Sequence, residues 1–332
     1  MLGLPPGRWS KPLFATVVVT AVVVLAFLAY IFATFQGNVM PGAPDGDDSH
    51  TIPTYLALFI FAEVYQVVVC WEALRNRNII QLIGLCLFQC MMLVYAAIQY
   101  DQIRNVIADL FQSKYYSLNQ WPVMKSLVIA IPCVLGASTL LLGFLTYKAY
   151  QEFGWAIYKY VGADISLRRK YVCFLIFITL LKYDFFFFLG FTIQFLVIVL
   201  NVKDVEFALT VVVIPVTIAI LYLALVFVKR ENRFAMGGVI VVLFAGLAYF
   251  LFKLVRMYQP SQEYKYIATR KTLTTFAVIT IVLLCATIVN AFVCIKNFGS
   301  GLREVIAKDS GGYEEEKYPL NEVGPRPRMT IE

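Results

Sequence analysis

Long apolar stretches alternate with short polar segments along the whole chain. They fall at residues 13–35, 52–74, 79–99, 126–147, 171–200, 205–228, 235–255 and 273–295. As helices rising about 1.5 Å per residue, each reaches roughly the 30 Å thickness of a hydrocarbon core. The pattern predicts an all-α, polytopic transmembrane helical bundle with eight spans; seven spans is the alternative. The longest stretch, 171–200, holds the chain's main intramembrane charges, Lys182 and Asp184, near its middle. Ionisable groups in lipid are costly, so these two are expected to face a protein interior or a cavity.

Between the spans the chain divides simply. Residues 1–12 form a basic lead with Arg8 and Lys11. The first span resembles a signal-peptide core, but it is too long and lacks a small-residue cleavage site, so it reads as a retained anchor. The turns at 75–78 and 229–233 are tight and basic. Two connectors are longer. In 101–125, Ile103, Val106, Ile107, Leu110 and Phe111 recur at helical spacing, which predicts a short helix lying on the membrane surface. In 148–170, Trp155 stands among Lys159, Arg168, Arg169 and Lys170, a mixture suited to the headgroup level of an anionic membrane. The tail, 296–332, has no apolar period and is expected to be disordered and cytosolic.

Composition agrees with a lipid-covered protein. Of its residues 60% are hydrophobic and 15% charged, against about 25% charged in soluble domains. The net charge of +7 is spread over short loops with no basic arm, so it reports topology and not nucleic-acid binding. Lys and Arg concentrate at the N-terminal lead and the loops after the second, fourth and sixth spans, which places both termini in the cytosol. The basic loop after the seventh span runs against this rule locally.

Depth along the spans brings a polar layer into view. Glu63 lies 11 residues from Leu74, Lys182 lies 11 from Tyr171, and Gln89 lies 10 from Ile79. All three are about 15–17 Å deep, near the midplane, with Asp184 slightly beyond. Opposite charge and matched depth predict that Glu63 and Lys182 are in contact, with Gln89 completing the layer. A layer of this kind serves either as a structural salt bridge or as the lining of a proton, ion or solute path. Gly136, Ala137, Ser138 and Gly143 are candidate points of close helix approach in the fourth span.

No catalytic signature is present: no Walker A, no Gly-x-Ser-x-Gly, no His-Glu-x-x-His and no dinucleotide fingerprint. The single histidine, His50, follows an acidic run, Asp45 to Asp48, in a loop too short for a nucleotide-binding domain. The cysteines lie within or beside apolar runs, so neither a disulfide framework nor a metal site is expected. No cofactor is implied.

One block adds a resemblance. Glu152-Phe153-Gly154-Trp155-Ala156-Ile157-Tyr158-Lys159, then Gly162-Ala163-Asp164, then Leu181-Lys182-Tyr183-Asp184 followed by Phe185 to Phe188, resembles an uncharacterised family of fungal Golgi apparatus multipass membrane proteins. The resemblance implies an endomembrane location and brings no reaction with it. The expected function is therefore that of a non-enzymatic endomembrane protein, acting in membrane organisation, trafficking or partner binding. Its partners would be the lipid bilayer and proteins that meet the tail, with no nucleic acid. The alternatives are a secondary or proton-coupled carrier using the polar layer, and a seven-span receptor-like protein.

Overall fold

The structure is a computed structural model that describes residues 7–38, 47–112, 121–161, 165–199, 205–259 and 270–299. The described residues are helical and contain no strand. The helices are α1 (Ser10–Asn38), α2 (Asp47–Arg75), α3 (Ile79–Gln112), α4 (Trp121–Val161), α5 (Ile165–Gln194), α6 (Val205–Lys229), α7 (Arg233–Met257) and α8 (Arg270–Asn297). The end of α5 widens into a π-helical turn, Phe195–Val199. All eight α-helices are long and apolar enough to cross a membrane. They form the expected all-α bundle.

Two faces follow from the contacts. One, the near face, carries the start of α1, the turns between α2 and α3 and between α6 and α7, and the end of α8. There the amides of Arg8 and Trp9 donate to the Glu152 carboxylate of α4. Arg233 donates to the Phe298 carbonyl, and the Gly299 amide donates to Glu231. The far face carries the opposite ends. It is tied by Lys271 beside Asp101 at 3.8 Å and by Tyr258 against Thr274.

The two tight turns share one local solution. Arg77 and Glu231 adopt left-handed φ of 48° and 51°. Each is followed by an asparagine whose amide reaches back five residues, from Asn78 to Ala73 and from Asn232 to Phe227. This is the Schellman pattern of a helix end. The same asparagines then cap the next helix: Asn78 Oδ1 accepts from Ile80 and Gln81, and Asn232 Oδ1 accepts from Ala235.

The connectors differ from the sequence reading. The stretch expected on the membrane surface continues α3, and Ile103, Val106 and Ile107 are buried in the bundle. The stretch 148–161 likewise continues α4, where Ala149 and Phe153 are buried, so α4 runs 41 residues. A helix leaving the membrane keeps the same apolar period whether a headgroup layer or a neighbouring helix covers it. The tail from residue 300, and the side chains of the acidic loop, lie outside the described residues.

α5 is the central helix, packed between α2 and α3 on one side and α6 and α8 on the other. The phenylalanine run divides between neighbours. Phe186 stacks on Phe61 of α2 and meets Phe88 of α3 edge-on, Phe187 packs on Phe276 of α8, and Phe188 packs on Phe250 of α7. Close approach depends on Gly84 and Gly190. A Cβ at Gly84 would meet the Tyr183 ring at 2.6 Å, and one at Gly190 would meet Phe276 at 2.7 Å. The glycines expected to serve this role, Gly136 and Gly143, have nothing within 4 Å of such a Cβ.

Candidate functional site

The predicted polar layer resolves into separate clusters. The first joins α2, α3 and α5. Lys182 Nζ lies 2.7 Å from Glu72 Oε2 and donates to Gln81 Oε1 at 3.1 Å. Gln81 Nε2 is near both the Val69 carbonyl and Glu72. The Tyr65 hydroxyl donates to the Lys182 carbonyl at 2.7 Å, and the Tyr183 hydroxyl donates to that of Gln81. The lysine's partner is thus Glu72, and the expected contact with Glu63 is not made.

Helix geometry explains the exchange. α2 and α5 are antiparallel, with Tyr65 level with Lys182 and Phe61 level with Phe186. Glu72 lies seven positions from Tyr65 toward the near face, about 10 Å along the axis. Helical side chains lean toward their own N-termini. In antiparallel helices Lys182 and Glu72 therefore lean toward each other and close that distance. The lysine reaches toward the near face and buries its stem. Side-chain exposures of 19% for Lys182 and 39% for Glu72 show a pair at the edge of the core.

The second cluster joins α2, α3 and α4. Gln66 Nε2 donates to Gln89 Oε1 at 2.8 Å, and Gln89 Nε2 donates to the Ser138 hydroxyl. Gln89 belongs here and not with the lysine. Glu63, one turn before Gln66, is only 2% exposed. It makes no hydrogen bond or ion pair among the described residues.

The third cluster joins α5 and α8. The Thr287 hydroxyl lies 2.5 Å from Asp184 Oδ2 and 2.9 Å from the Leu283 carbonyl. Asp184 Oδ1 is buried and has no hydrogen-bond partner among the described residues. Asn290 on the same face of α8 donates to the Cys173 carbonyl. Asp184 sits two residues from Lys182, on another face, as the spacing requires.

Several buried polar groups were not singled out from the sequence. Toward the far face, Gln194 Nε2 donates to the Tyr95 hydroxyl, and Thr272 bonds with Tyr55 and Gln102. Lys253 of α7 lies 4.0 Å from the centroid of the Phe195 ring and 5.7 Å from that of Tyr249. A lysine two residues before the end of the 235–255 stretch reads as interfacial, and only packing shows its ring contacts. Glu72, two residues before the end of the 52–74 stretch, reads the same way.

Of the headgroup-level residues, Arg168 and Arg169 are exposed and Lys170 is half-buried at the start of α5. Trp155 and Lys159 lie on the last turns of α4, and their side chains are outside the described residues. No group of three metal-ligating side chains is found among the described residues.

No family model matches the chain, and no solved structure matches it. A curated relative does. A UPF0658 Golgi apparatus membrane protein of Schizosaccharomyces pombe is 35% identical over 314 aligned residues, which cover 88% of each chain. That similarity covers far more of the chain than the block around α5 that carries the resemblance. With its helices built to cross a membrane, this chain belongs to the UPF0658 family of multipass Golgi apparatus membrane proteins.

Proposed function

We propose that the protein is a non-enzymatic Golgi membrane protein that works by binding partners at its near face, which lies in the cytosol. One observation carries this reading. The near-face carboxylates among the described residues are all held inside the molecule: Glu72 by Lys182, Glu152 by the amides of Arg8 and Trp9, and Glu231 by Gly299. The exposed cations of this face include Arg8, Lys11, Arg75, Arg168, Arg169, Lys229, Arg230 and Lys296. A surface of cations whose neighbouring acids are engaged elsewhere suits anionic headgroups and acidic partner segments. The positive-inside rule supports the cytosolic assignment, and the tail leaves from this same face.

The test is reconstitution of the full chain in vesicles of mixed neutral and anionic lipid. The protein should co-purify with an excess of anionic lipid, and changing Arg168, Arg169 and Lys170 together to glutamine should reduce that excess. Proton and solute flux should match empty vesicles. Flux above that level, with a lipid shell indifferent to the substitutions, would overturn the proposal. It would favour the second reading, a proton-coupled carrier. Two buried carboxyls, Glu63 and Asp184, support that reading, since neither has a counter-ion among the described residues.

A further inference from the structure

The interior shared by α1, α2, α3 and α4 holds a feature that the Lys182 cluster does not use. A crevice of about 10 Å³ lies there, lined by Leu28 of α1, Leu56 of α2, Gln99 of α3 and Ile131 of α4, among others. That is about the room one water needs. Gln99 is 4% exposed, and its Nε2 has no hydrogen-bond partner among the described residues. The crevice is polar at this one group.

Glu63 is seven residues from Leu56, so it lies on the same stripe of α2, about 10 Å deeper toward the midplane. Gln66 follows one turn later and is held by Gln89, which is held by Ser138. These amides satisfy one another and lie between Glu63 and the near face. On the far side of Glu63 is the crevice with its open amide donor. Glu63 is thus a buried carboxyl with no donor or counter-ion of its own among the described residues, with paired amides on its near side and, about 10 Å along its stripe on the far side, a water-sized space.

We propose that the α1–α4 interior is a half-channel in which water enters from the far face past Gln99 and exchanges a proton with Glu63. The carboxylate oxygen takes the proton from hydronium, leaving water, and returns it to water by the same route. The surroundings favour a proton over a metal cation. A hard cation needs several oxygen ligands, and the Gln89 amide oxygen is already taken by Gln66. Among the described residues, the buried positions of α1 and α4 carry no titratable side chain. α3 contributes Tyr95 and Cys86, and α2 contributes Tyr55 and Cys70. From α5, Lys182 faces Glu72 and Asp184 faces Thr287. The inference does not depend on the partner-binding reading, because a half-channel sealed at Gln66–Gln89–Ser138 conducts nothing across the membrane.

Infrared spectroscopy of the full chain in vesicles tests it. The expected result is a carboxylic-acid carbonyl band that is lost in Glu63→Gln, kept in Asp184→Asn, and shifted when water is replaced by D2O. Gln99→Leu should slow that shift. A Glu63 band that never shifts in D2O, or no such band at any pH, overturns the proposal. Should Glu63→Gln fail to fold, a water-soluble carbodiimide applied to the wild-type protein at the far face decides the matter. Modification of Glu63 supports the half-channel. Modification of the exposed Asp101 with Glu63 left intact overturns it.

Discussion

Changing Lys182 to leucine would leave Glu72 facing Gln81 without its cation, while Tyr65 and Tyr183 still bond to the helix backbones. Because Glu72 keeps 39% of its side-chain surface, solvent compensates part of the loss. The coupling should therefore be about 1 kcal/mol, well below the 3–5 kcal/mol typical of breaking a fully buried pair. A double-mutant cycle of Lys182→Leu with Glu72→Leu, read as thermal stability in detergent, should return that coupling. The cycle of Lys182→Leu with Glu63→Leu should be additive to within about 0.5 kcal/mol. A large coupling in the second cycle and none in the first would reject the observed pairing. The sequence shows why Glu63 looked plausible: depth is a matter of counting residues, and its depth matches that of Lys182. Azimuth and lean are the missing terms. Glu63 and Tyr65 are about 200° apart around α2, so the lysine that sits over Tyr65 cannot meet Glu63, whereas Glu72, seven residues on, shares its stripe.

At the scale of elements, the close crossings make the sharpest prediction. Gly84→Ala places a methyl against the Tyr183 ring, at the junction that also holds Gln81 and Lys182. Gly190→Ala meets Phe276 and Leu58. Each should destabilise by about 1–3 kcal/mol, the usual cost of overpacking. Gly136→Ala and Gly143→Ala meet nothing, and each should be neutral or stabilising by up to about 1 kcal/mol through helix propensity. Thermal unfolding of the four variants separates the two pairs; equal effects would show that α3 and α5 do not cross this closely. The turns give a second expectation. Asn78→Ala removes a side-chain acceptor from two amides, and should cost about 1 kcal/mol in the same assay. Apolar length made the existence of every helix legible. Which glycine mattered was not legible, because a small residue in a span reads the same whether it faces lipid or a phenylalanine. At the end of α3 the apolar periodicity predicts the helix but does not identify what covers its apolar stripe, which is the bundle itself.

At the scale of the molecule, the parity of the bundle is fixed by contacts between distant helix ends. The start of α1 is bonded to α4 through Glu152, and the end of α8 is bonded to the turn between α6 and α7 through Arg233 and Glu231. The opposite ends of α3 and α8 meet through Asp101 and Lys271. These contacts hold the last two helices in register with the rest, although the basic loop after the seventh span runs against the charge rule. Charge counting could not resolve that loop, since Arg256 and Arg270 lie over the rings of Phe252 and Tyr258 at the far face. Aromatic contacts hold both cations at this interface, so their positions reflect packing as well as topology. Single cysteines introduced at Lys11, Arg77 and Arg230, in a background lacking the native ones, should all label with a membrane-impermeant thiol reagent from one side of sealed Golgi vesicles. Cysteines at Asp101 and Tyr258 should label only after the vesicles are opened. With the near face in the cytosol, the first group reacts with reagent added outside. The reverse assignment of the two groups would keep the bundle and invert its orientation. Labelling of Arg230→Cys and Tyr258→Cys from the same side would break the parity itself, and with it the eight-span bundle.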